Sequence, residues 1–358
     1  MRIAQVAPLY ESVPPKLYGG TERVVAYLTD ALVQQGHDVT LFASGDSTAS
    51  GRLRPTCKRA LRLEGKRIVD PIVHQMRMIE LVAREYTDFD IVHFHIDYLH
   101  FPLARRQRVA TVTTQHGRLD IPELHSMYLE YDEMHLVSVS DDQRKSMPWA
   151  RWAATAYHGL PKDLYHLQER PGQYLAFLGR ICPEKRVDRA IEIARRVGMP
   201  IKIAAKIDAA DMQYFNSCIR RLFDDPLVEY LGEIGEPEKA KFLGDAYALL
   251  FPVDWPEPFG LVMIEAMACG TPVIAYNMGS VAEIIDDGVT GFIVSNLNEA
   301  VDAVGRVGSL DRRVCRSVFE QRFTAGRMCS AYLAIYERVV SCEGHRQPNL
   351  AFLSPVQQ

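Results

Sequence analysis

Pro256–Glu257–Pro258–Phe259–Gly260–Leu261–Val262–Met263–Ile264–Glu265–Ala266–Met267–Ala268–Cys269–Gly270–Thr271–Pro272–Val273 decides how this chain folds. An apolar strand, Tyr247–Pro252, runs into a proline-bounded turn that holds Glu257. Gly260 stands where a helix should begin, Glu265 sits inside that apolar helix, Gly270 stops it and Pro272 opens the next strand. The unit is strand–loop–helix–strand, and its loop gathers backbone N–H groups and a carboxylate at the carboxyl edge of a sheet. In an open parallel sheet, ligands bind at that edge.

Outward from this unit the same alternation repeats. Upstream, strands are expected at Tyr174–Leu178, Ile201–Ala205 and Val228–Leu231, with helices from Pro183, from Asp211 and over Pro237–Leu243. Beyond Asn298 the pattern is helical to about Val340, and the tail from Gly344 reads as irregular. The first half runs through strands at Arg2–Pro8, Asp38–Ala43, Asp90–Ile96, Val109–Gln115, His135–Val139 and Trp152–Tyr157. Helices are expected at Thr21–Gln35 and Pro71–Tyr86. His158–Gly172, with two glycines and two prolines, reads as a linker. The expected fold is α/β, with two facing Rossmann-like domains built on parallel sheets, residues 1–160 and 161–327, and a closing segment 328–358. Facing sheets would put both carboxyl edges on one cleft.

Composition narrows the class. At 358 residues two domains are the prior, and the 47% hydrophobic content allows a sizeable core. A net charge of −4 gives no reason to expect a nucleic-acid partner. Seven cysteines without a Cys-x-x-Cys pair read as reduced thiols, not as a disulfide framework or a zinc site. The apolar run Ile3–Pro8 is a strand and lacks the layout of a signal peptide, and no apolar run approaches a membrane span. The expected location is cytoplasmic or peripheral to a membrane. Residues 51–67 carry seven Arg or Lys against one Glu. They read either as a solvated loop or helix face, or as a dock for anionic lipid or an acidic acceptor.

Several residues carry chemistry. In Gly179–Arg180–Ile181–Cys182–Pro183–Glu184–Lys185–Arg186, a strand end meets a helix start, placing Lys185 near the positive end of a helix dipole. A bound phosphate would turn that penalty into an advantage; the plainer reading is a solvated helix start. Glu265 lies in a helix apolar nearly all round, so its charge needs partners. It is either an internal ion pair, to Arg180 or Lys185, or the acceptor for a sugar-ring diol. Glu257 is held by flanking prolines at the sheet edge. Gly19–Gly20 precede a helix and let backbone approach a ligand phosphate, although Gly-x-Gly-x-x-Gly is absent. His116–Gly117 end a strand on the same edge. His95 and Asp97 lack a third metal ligand and are better placed as acceptor contacts.

Taken together, Gly19–Gly20, His116–Gly117, Gly179–Arg180 with Glu184–Lys185, and Glu257-Pro-Phe-Gly-Leu…Glu265-Ala-Met-Ala-x-Gly-x-Pro-Val resemble the family 4 retaining glycosyltransferases, which have the two-domain GT-B fold. The likeness spans nearly the whole chain in order. It implies that Glu265 binds the ribose of a nucleotide-sugar, and that Glu257 contacts hydroxyls of the transferred sugar. Backbone amides of Phe259, Gly260 and Leu261 would line sugar and phosphates. Arg180 and Lys185 would hold the diphosphate, Gly20 would approach it from the other domain, His116 would lie near the donor sugar, and Gly232–Ile234 would receive the base. Met328–Val340 would cross back onto the first domain. Two departures stand out: His158–Gly159–Leu160 replaces the usual Asn-Gly, and Asp254–Trp255 replaces smaller residues.

The implied function is metal-independent transfer of a hexosyl group, with retention, to an acceptor hydroxyl on a small molecule, glycan or lipid carrier. Arg180, Lys185, His116 and Glu257 form the catalytic set. No Asp-x-Asp motif is present, and no cofactor is called for besides the donor. A UDP-sugar is the working donor; nothing in the sequence selects base, sugar or acceptor. Two alternatives stay open: an epimerase or hydrolase on the same fold, and a non-catalytic nucleotide-sugar-binding module. A pure binder would have no need of leaving-group stabilisers such as Arg180 and Lys185.

Overall fold

The computed structural model describes residues 1–17, 19–107 and 109–344 of the chain. Unalternating aliphatic runs become short strands buried on both faces, as parallel sheets require. Strands β1 (Arg2–Val6), β2 (Asp38–Ser44), β3 (Arg52–Cys57), β4 (Ile91–Phe94), β5 (Ala110–Thr114), β6 (Leu136–Ser138) and β7 (Trp152–Thr155) form one sheet in the order β3-β2-β1-β4-β5-β6-β7. Strands β8 (Leu175–Arg180), β9 (Ile201–Lys206), β10 (Val228–Gly232), β11 (Ala248–Phe251), β12 (Val273–Tyr276) and β13 (Gly291–Val294) form a second, in the order β10-β9-β8-β11-β12-β13. The pairings are parallel in both sheets. The expected α/β fold with two parallel sheets is what the chain adopts.

The strand orders locate the ligand crevices. Strand order reverses between β1 and β4 in the first sheet and between β8 and β11 in the second. Chains leaving such neighbours turn to opposite faces and open a crevice at the strands' carboxyl ends. The loops there carry Gly19–Gly20 after β1, His95 and Asp97 after β4, Arg180 at the end of β8, and Glu257 after β11.

Six helices matter below: α1 (Gly20–Gln34), α2 (Pro71–Arg84), α3 (Val187–Val197), α4 (Glu236–Gly244), α5 (Leu261–Ala268) and α6 (Ala325–Gly344). The long α6 packs on the first sheet. Tyr336 Oη hydrogen-bonds Gln5 and His93, and Tyr332 Oη hydrogen-bonds Thr114. The two passages between the halves run side by side. Leu160 N donates to Phe323 O at 2.9 Å, Ala325 N donates to Leu160 O at 2.7 Å, and Leu160 bridges Thr324. A Cβ at Gly159 would lie 2.2 Å from Thr324 O, so only glycine fits.

Three local expectations need correction. No α-helix starts at Pro183: Pro183–Lys185 is a 3₁₀ turn, Arg186 takes a left-handed φ of 52°, and α3 begins at Val187. Lys185 therefore precedes the helix terminus. The basic stretch is not a loop or helix face throughout, since Arg52–Cys57 is the edge strand β3, where Pro55 is tolerated. The helix expected from Asp211 breaks into a three-residue α-turn, a π-turn over Phe215–Ile219 and a 3₁₀ turn. Ile219 alone is buried there, so little packing enforces a regular helix. The tail expected beyond Gly344 lies outside the described residues.

Candidate active site

A cavity of about 690 Å³ lies between the two crevices. Gly20, His95, Asp97 and His116 line it from the first half; Arg180, Lys185, Ile234, Glu257, Phe259, Gly260, Leu261 and Glu265 line it from the second. Residues spread over 246 positions of sequence, from Gly20 to Glu265, thus meet at one place.

The second-half wall is built on α5. Gly260 precedes it with φ +78°, and a Cβ there would meet Met263 Cε at 2.8 Å and Phe251 Cζ at 2.9 Å. Glycine is required on both counts. The loop before it is pinned from behind by Gly279–Ser280, which sequence reasoning missed. Ser280 N donates to Glu257 O at 3.0 Å, and Ser280 Oγ donates to Phe259 O at 2.8 Å. The one available signal was a Gly-Ser pair just beyond the next strand.

Lys185 Nζ donates to Glu257 Oε2, which also accepts from Trp255 Nε1 at 2.9 Å. The Lys185 ammonium faces the rings of Trp255 at 5.4 Å and Phe251 at 5.6 Å, within cation–π range. Asp254 accepts from Arg186 at 2.8 Å and from Arg189 at 3.0 Å, and its N–H donates to Glu184 O at 2.8 Å. The departure Asp254–Trp255 therefore has a structural role: it clamps the Glu257 loop to the segment carrying Lys185. Arg180 lies 3.4 Å from Asp211 and 3.8 Å from Asp208.

Glu265 is 2% exposed. The internal ion pair read from the sequence is present, but its partners are Arg23 and Lys239 instead of Arg180 or Lys185. Glu265 Oε1 accepts from Arg23 Nη1, which reaches across from α1, and Lys239 Nζ of α4 lies 3.7 Å from the same oxygen. Both cations also meet Glu236, Arg23 at 3.3 Å and Lys239 at 3.5 Å, and Tyr165 Oη donates to Glu236. Burial alone would raise the Glu265 pKa, but Lys239 and Arg23 outweigh it and hold the carboxyl below its ordinary range. Sequence reasoning missed Arg23, Lys239 and Glu236. A cation in the first turn after Gly19–Gly20 was the readable clue, being as ill-placed against a helix dipole as Lys185 was thought to be.

Around His95 the first-half wall is neutral and hydrogen-bonded. His95 Nε2 meets Gln5 Oε1 at 2.8 Å, and His95 Nδ1 meets His116 Nε2 at 2.8 Å. Gln5 Nε2 donates to Tyr336 Oη at 3.0 Å, which joins His93 Nδ1 at 2.7 Å; His93 Nε2 joins Thr114 at 2.7 Å. Burial pushes His93 and His95 well below the ordinary imidazole range and His116 down to about 3. His158, the other departure, stacks on His116 with ring centres 5.2 Å apart and packs on Phe259 at 4.8 Å, so it spans the two halves. Asp97, exposed to the cleft, takes a left-handed φ of 53° beyond β4. Gly20 packs against the opposite wall, where a Cβ would meet Leu261 Cδ1 at 3.7 Å.

Comparison with known proteins follows the same division. Residues 18–177 match the description "Glycosyltransferase Family 4", and residues 167–307 match "Glycosyl transferases group 1". The D-inositol 3-phosphate glycosyltransferase of Mycolicibacterium smegmatis is 30% identical over 223 residues, 57% of this chain and 47% of that protein. The chain spans about half the length of the curated relatives it matches. Among solved structures, AviGT4, a glycosyltransferase involved in avilamycin A biosynthesis, superposes with a TM-score of 0.73 at 22% identity, covering 95% of this chain and 98% of that one. Anabaena HepE in complex with UDP-glucose superposes with a TM-score of 0.69 at 15% identity, covering 97% and 100%.

Proposed function

The chain belongs to the family 4 glycosyltransferases, and on that premise we propose that it transfers a hexosyl group from a nucleotide-diphosphate sugar to an acceptor hydroxyl. The observation that carries this reading is the convergence of Arg180, Lys185, Glu257 and Glu265 on one wall of a cavity that Gly20 and His116 close from the other half. A cleft wall bearing two cations suits the diphosphate leaving group, whose charge grows as the glycosidic bond breaks.

The roles divide as follows. Arg180 and Lys185 hold the diphosphate without a metal ion. Glu257, fixed by Lys185 and Trp255, accepts from hydroxyls of the sugar, and the N–H groups at Phe259, Gly260 and Leu261 bind the sugar and phosphates. Glu265 takes the ribose, backbone around Ile234 takes the base, and His116 lies beside the sugar. The reaction is a front-face displacement with retention. The acceptor oxygen bonds to the anomeric carbon as the bond from that carbon to the phosphate oxygen breaks. The acceptor proton passes to a β-phosphate oxygen, and the nucleoside diphosphate leaves. His95 and Asp97 contact the acceptor.

A UDP-sugar is the donor to test first, and the complex of HepE with UDP-glucose supports that choice. The decisive experiment is incubation with a panel of UDP-, GDP- and ADP-hexoses, alone and with hydroxylated acceptors, followed by NMR of the anomeric signal. Acceptor-dependent product with the donor's anomeric configuration is expected. Inverted product would sink the front-face mechanism, and sugar release without acceptor would favour a hydrolase.

The first half also presents a face suited to an anionic membrane. Leu63, Val69, Ile72, Val73 and Met76 are all exposed within fourteen residues of sequence, Val69 at 93%, and the exposed Lys58 and Arg59 of the basic stretch precede them. Ile72 and Arg62 also line the cavity, so this face borders the cleft mouth. Among the described residues no helix is long and apolar enough to cross a membrane.

A further inference from the structure

Glu265 belongs to the donor half of the cleft, yet the cation hydrogen-bonded to its Oε1 comes from the other half. Arg23 projects from the first turn of α1, one turn past Gly19–Gly20, and is 7% exposed. Its guanidinium forks between two carboxylates of the second half: Nη1 donates to Glu265 Oε1, and Nε lies 3.3 Å from Glu236 Oε2. Burial opposes the charge on Arg23, and Glu265 and Glu236 together more than restore it. Lys239 also approaches Oε1, at 3.7 Å, so both cations meet the same oxygen. Arg23, Lys239 and Glu265 all line the cavity.

We infer that Arg23 is a positioning residue of the donor site, holding Glu265 ionised and turned by Oε1 so that Oε2 accepts from a ribose hydroxyl. The inference rests on the reading of Glu265 as the ribose ligand. It makes the ribose clamp a joint product of the two halves: the donor half alone has the carboxylate and Lys239, but lacks the planar fork that fixes its orientation. An arginine suits the task better than a lysine, because two N–H groups in a rigid plane can hold Glu265 and Glu236 at once. Without Arg23, the buried Glu265 and the half-buried Glu236 share Lys239. One of them then binds a proton more readily, and a protonated Glu265 is a poorer acceptor for a hydroxyl.

The test compares the wild-type chain with Arg23→Gln and Arg23→Lys by calorimetric titration of UDP, GDP and ADP, and of the matching 2′-deoxy diphosphates, at pH 6 and pH 8. For whichever base binds, Arg23→Gln is expected to weaken the ribonucleotide about tenfold or more, the loss of one charge-assisted hydrogen bond. The preference for ribose over 2′-deoxyribose should shrink, the loss should be larger at pH 6 than at pH 8, and Arg23→Lys should recover part of it. Equal weakening of ribo- and deoxyribonucleotides at both pH values overturns the inference, because a purely structural arginine would act that way. So does unchanged binding by a variant whose melting curve shows it is folded. If the wild-type chain binds none of the three diphosphates, the nucleotide-sugar reading itself falls, and the inference with it.

Discussion

The two walls of the cleft handle polarity in opposite ways. On the second half, charges are present and paired: Lys185 with Glu257, Arg180 beside Asp208 and Asp211, and Glu265 within a cluster of Lys239, Glu236 and, reaching over from the first half, Arg23. On the first half, polarity is mostly neutral, an unbroken path of imidazole, amide, phenol and hydroxyl from His116 through His95 and Gln5 to Tyr336, His93 and Thr114. Paired ions keep their charge when buried and can exchange partners with an incoming anion. Neutral networks fix orientation and resist any added charge. A wall of the first kind suits a diphosphate and a wall of the second suits hydroxyl groups, which is the division of labour that glycosyl transfer needs.

Breaking the charged wall should have the largest effect. Lys185→Ala is expected to reduce transfer by about 10²–10³ or more, the range for losing one preorganised charge stabiliser, while the melting temperature stays near that of the wild type. Full turnover with any donor would remove Lys185 from the mechanism. Glu257→Gln keeps the shape but gives up the ion pair with Lys185 and the acceptor for Trp255 Nε1. A fall in kcat/KM of about 10–100-fold is expected, with donor titration showing weaker sugar recognition.

The neutral wall should be seen through pH. His93, His95, His116 and His158 have pKa values below that of free imidazole because burial disfavours their charged forms. The unfolded chain therefore binds more protons below about pH 6.5, and the stability these groups contribute above that pH is lost as pH falls. Glu22, raised to about 6 by burial, has the opposite sign: ionising it in the folded state costs stability, which returns as pH drops below 6. Four imidazoles against one carboxyl predict a net fall in melting temperature between pH 7 and pH 5. Replacing His93 or His95 with Gln should flatten that slope, by up to ~1.4 kcal/mol per pH unit for each histidine removed. An unchanged slope would mean that the wall does not stay neutral.

Smaller effects test the approach to the neutral wall. Asp97→Asn should change acceptor KM several-fold, about 1 kcal/mol, and leave donor affinity unaltered. A change in donor affinity instead would move Asp97 out of the acceptor subsite. Val69→Glu with Val73→Glu, neither of which lines the cavity, should reduce co-sedimentation with vesicles rich in phosphatidylglycerol and leave transfer to a soluble acceptor intact. An effect of about 1 kcal/mol per added charge is expected near such a surface. Equal binding to neutral vesicles would argue against the electrostatic part.

The charged wall was the more legible from sequence, for a physical reason. Its groups sit close together in the chain, on one strand–loop–helix and one strand–turn, and glycine and proline mark where the backbone must bend. Gly260 is legible because it stands where a helix must begin, and its positive φ and crowded Cβ position both select glycine. What escaped were partners set by tertiary approach: Arg23 across the cleft, Ser280 behind the Glu257 loop, and Gln5 beneath His95. Nothing local distinguishes Gln5 from any polar residue in a strand; its role exists only once β1, β4 and α6 are packed. Lys185 was legible as a residue but not as a geometry, because the left-handed turn at Arg186 moved the helix start past it.

The placement of α6 has a consequence for how the chain is made. Gln5, His93 and Thr114 receive Tyr336 and Tyr332 from residues emerging from the ribosome more than two hundred positions after them. Until then the first sheet carries an uncovered apolar face and buried-to-be polar groups without their phenol partners. The second half, whose last strand is β13 and whose core is filled by the helices Leu297–Arg306 and Arg312–Arg322, can complete itself before α6 emerges. The part of the molecule that is translated first is therefore the part that is finished last.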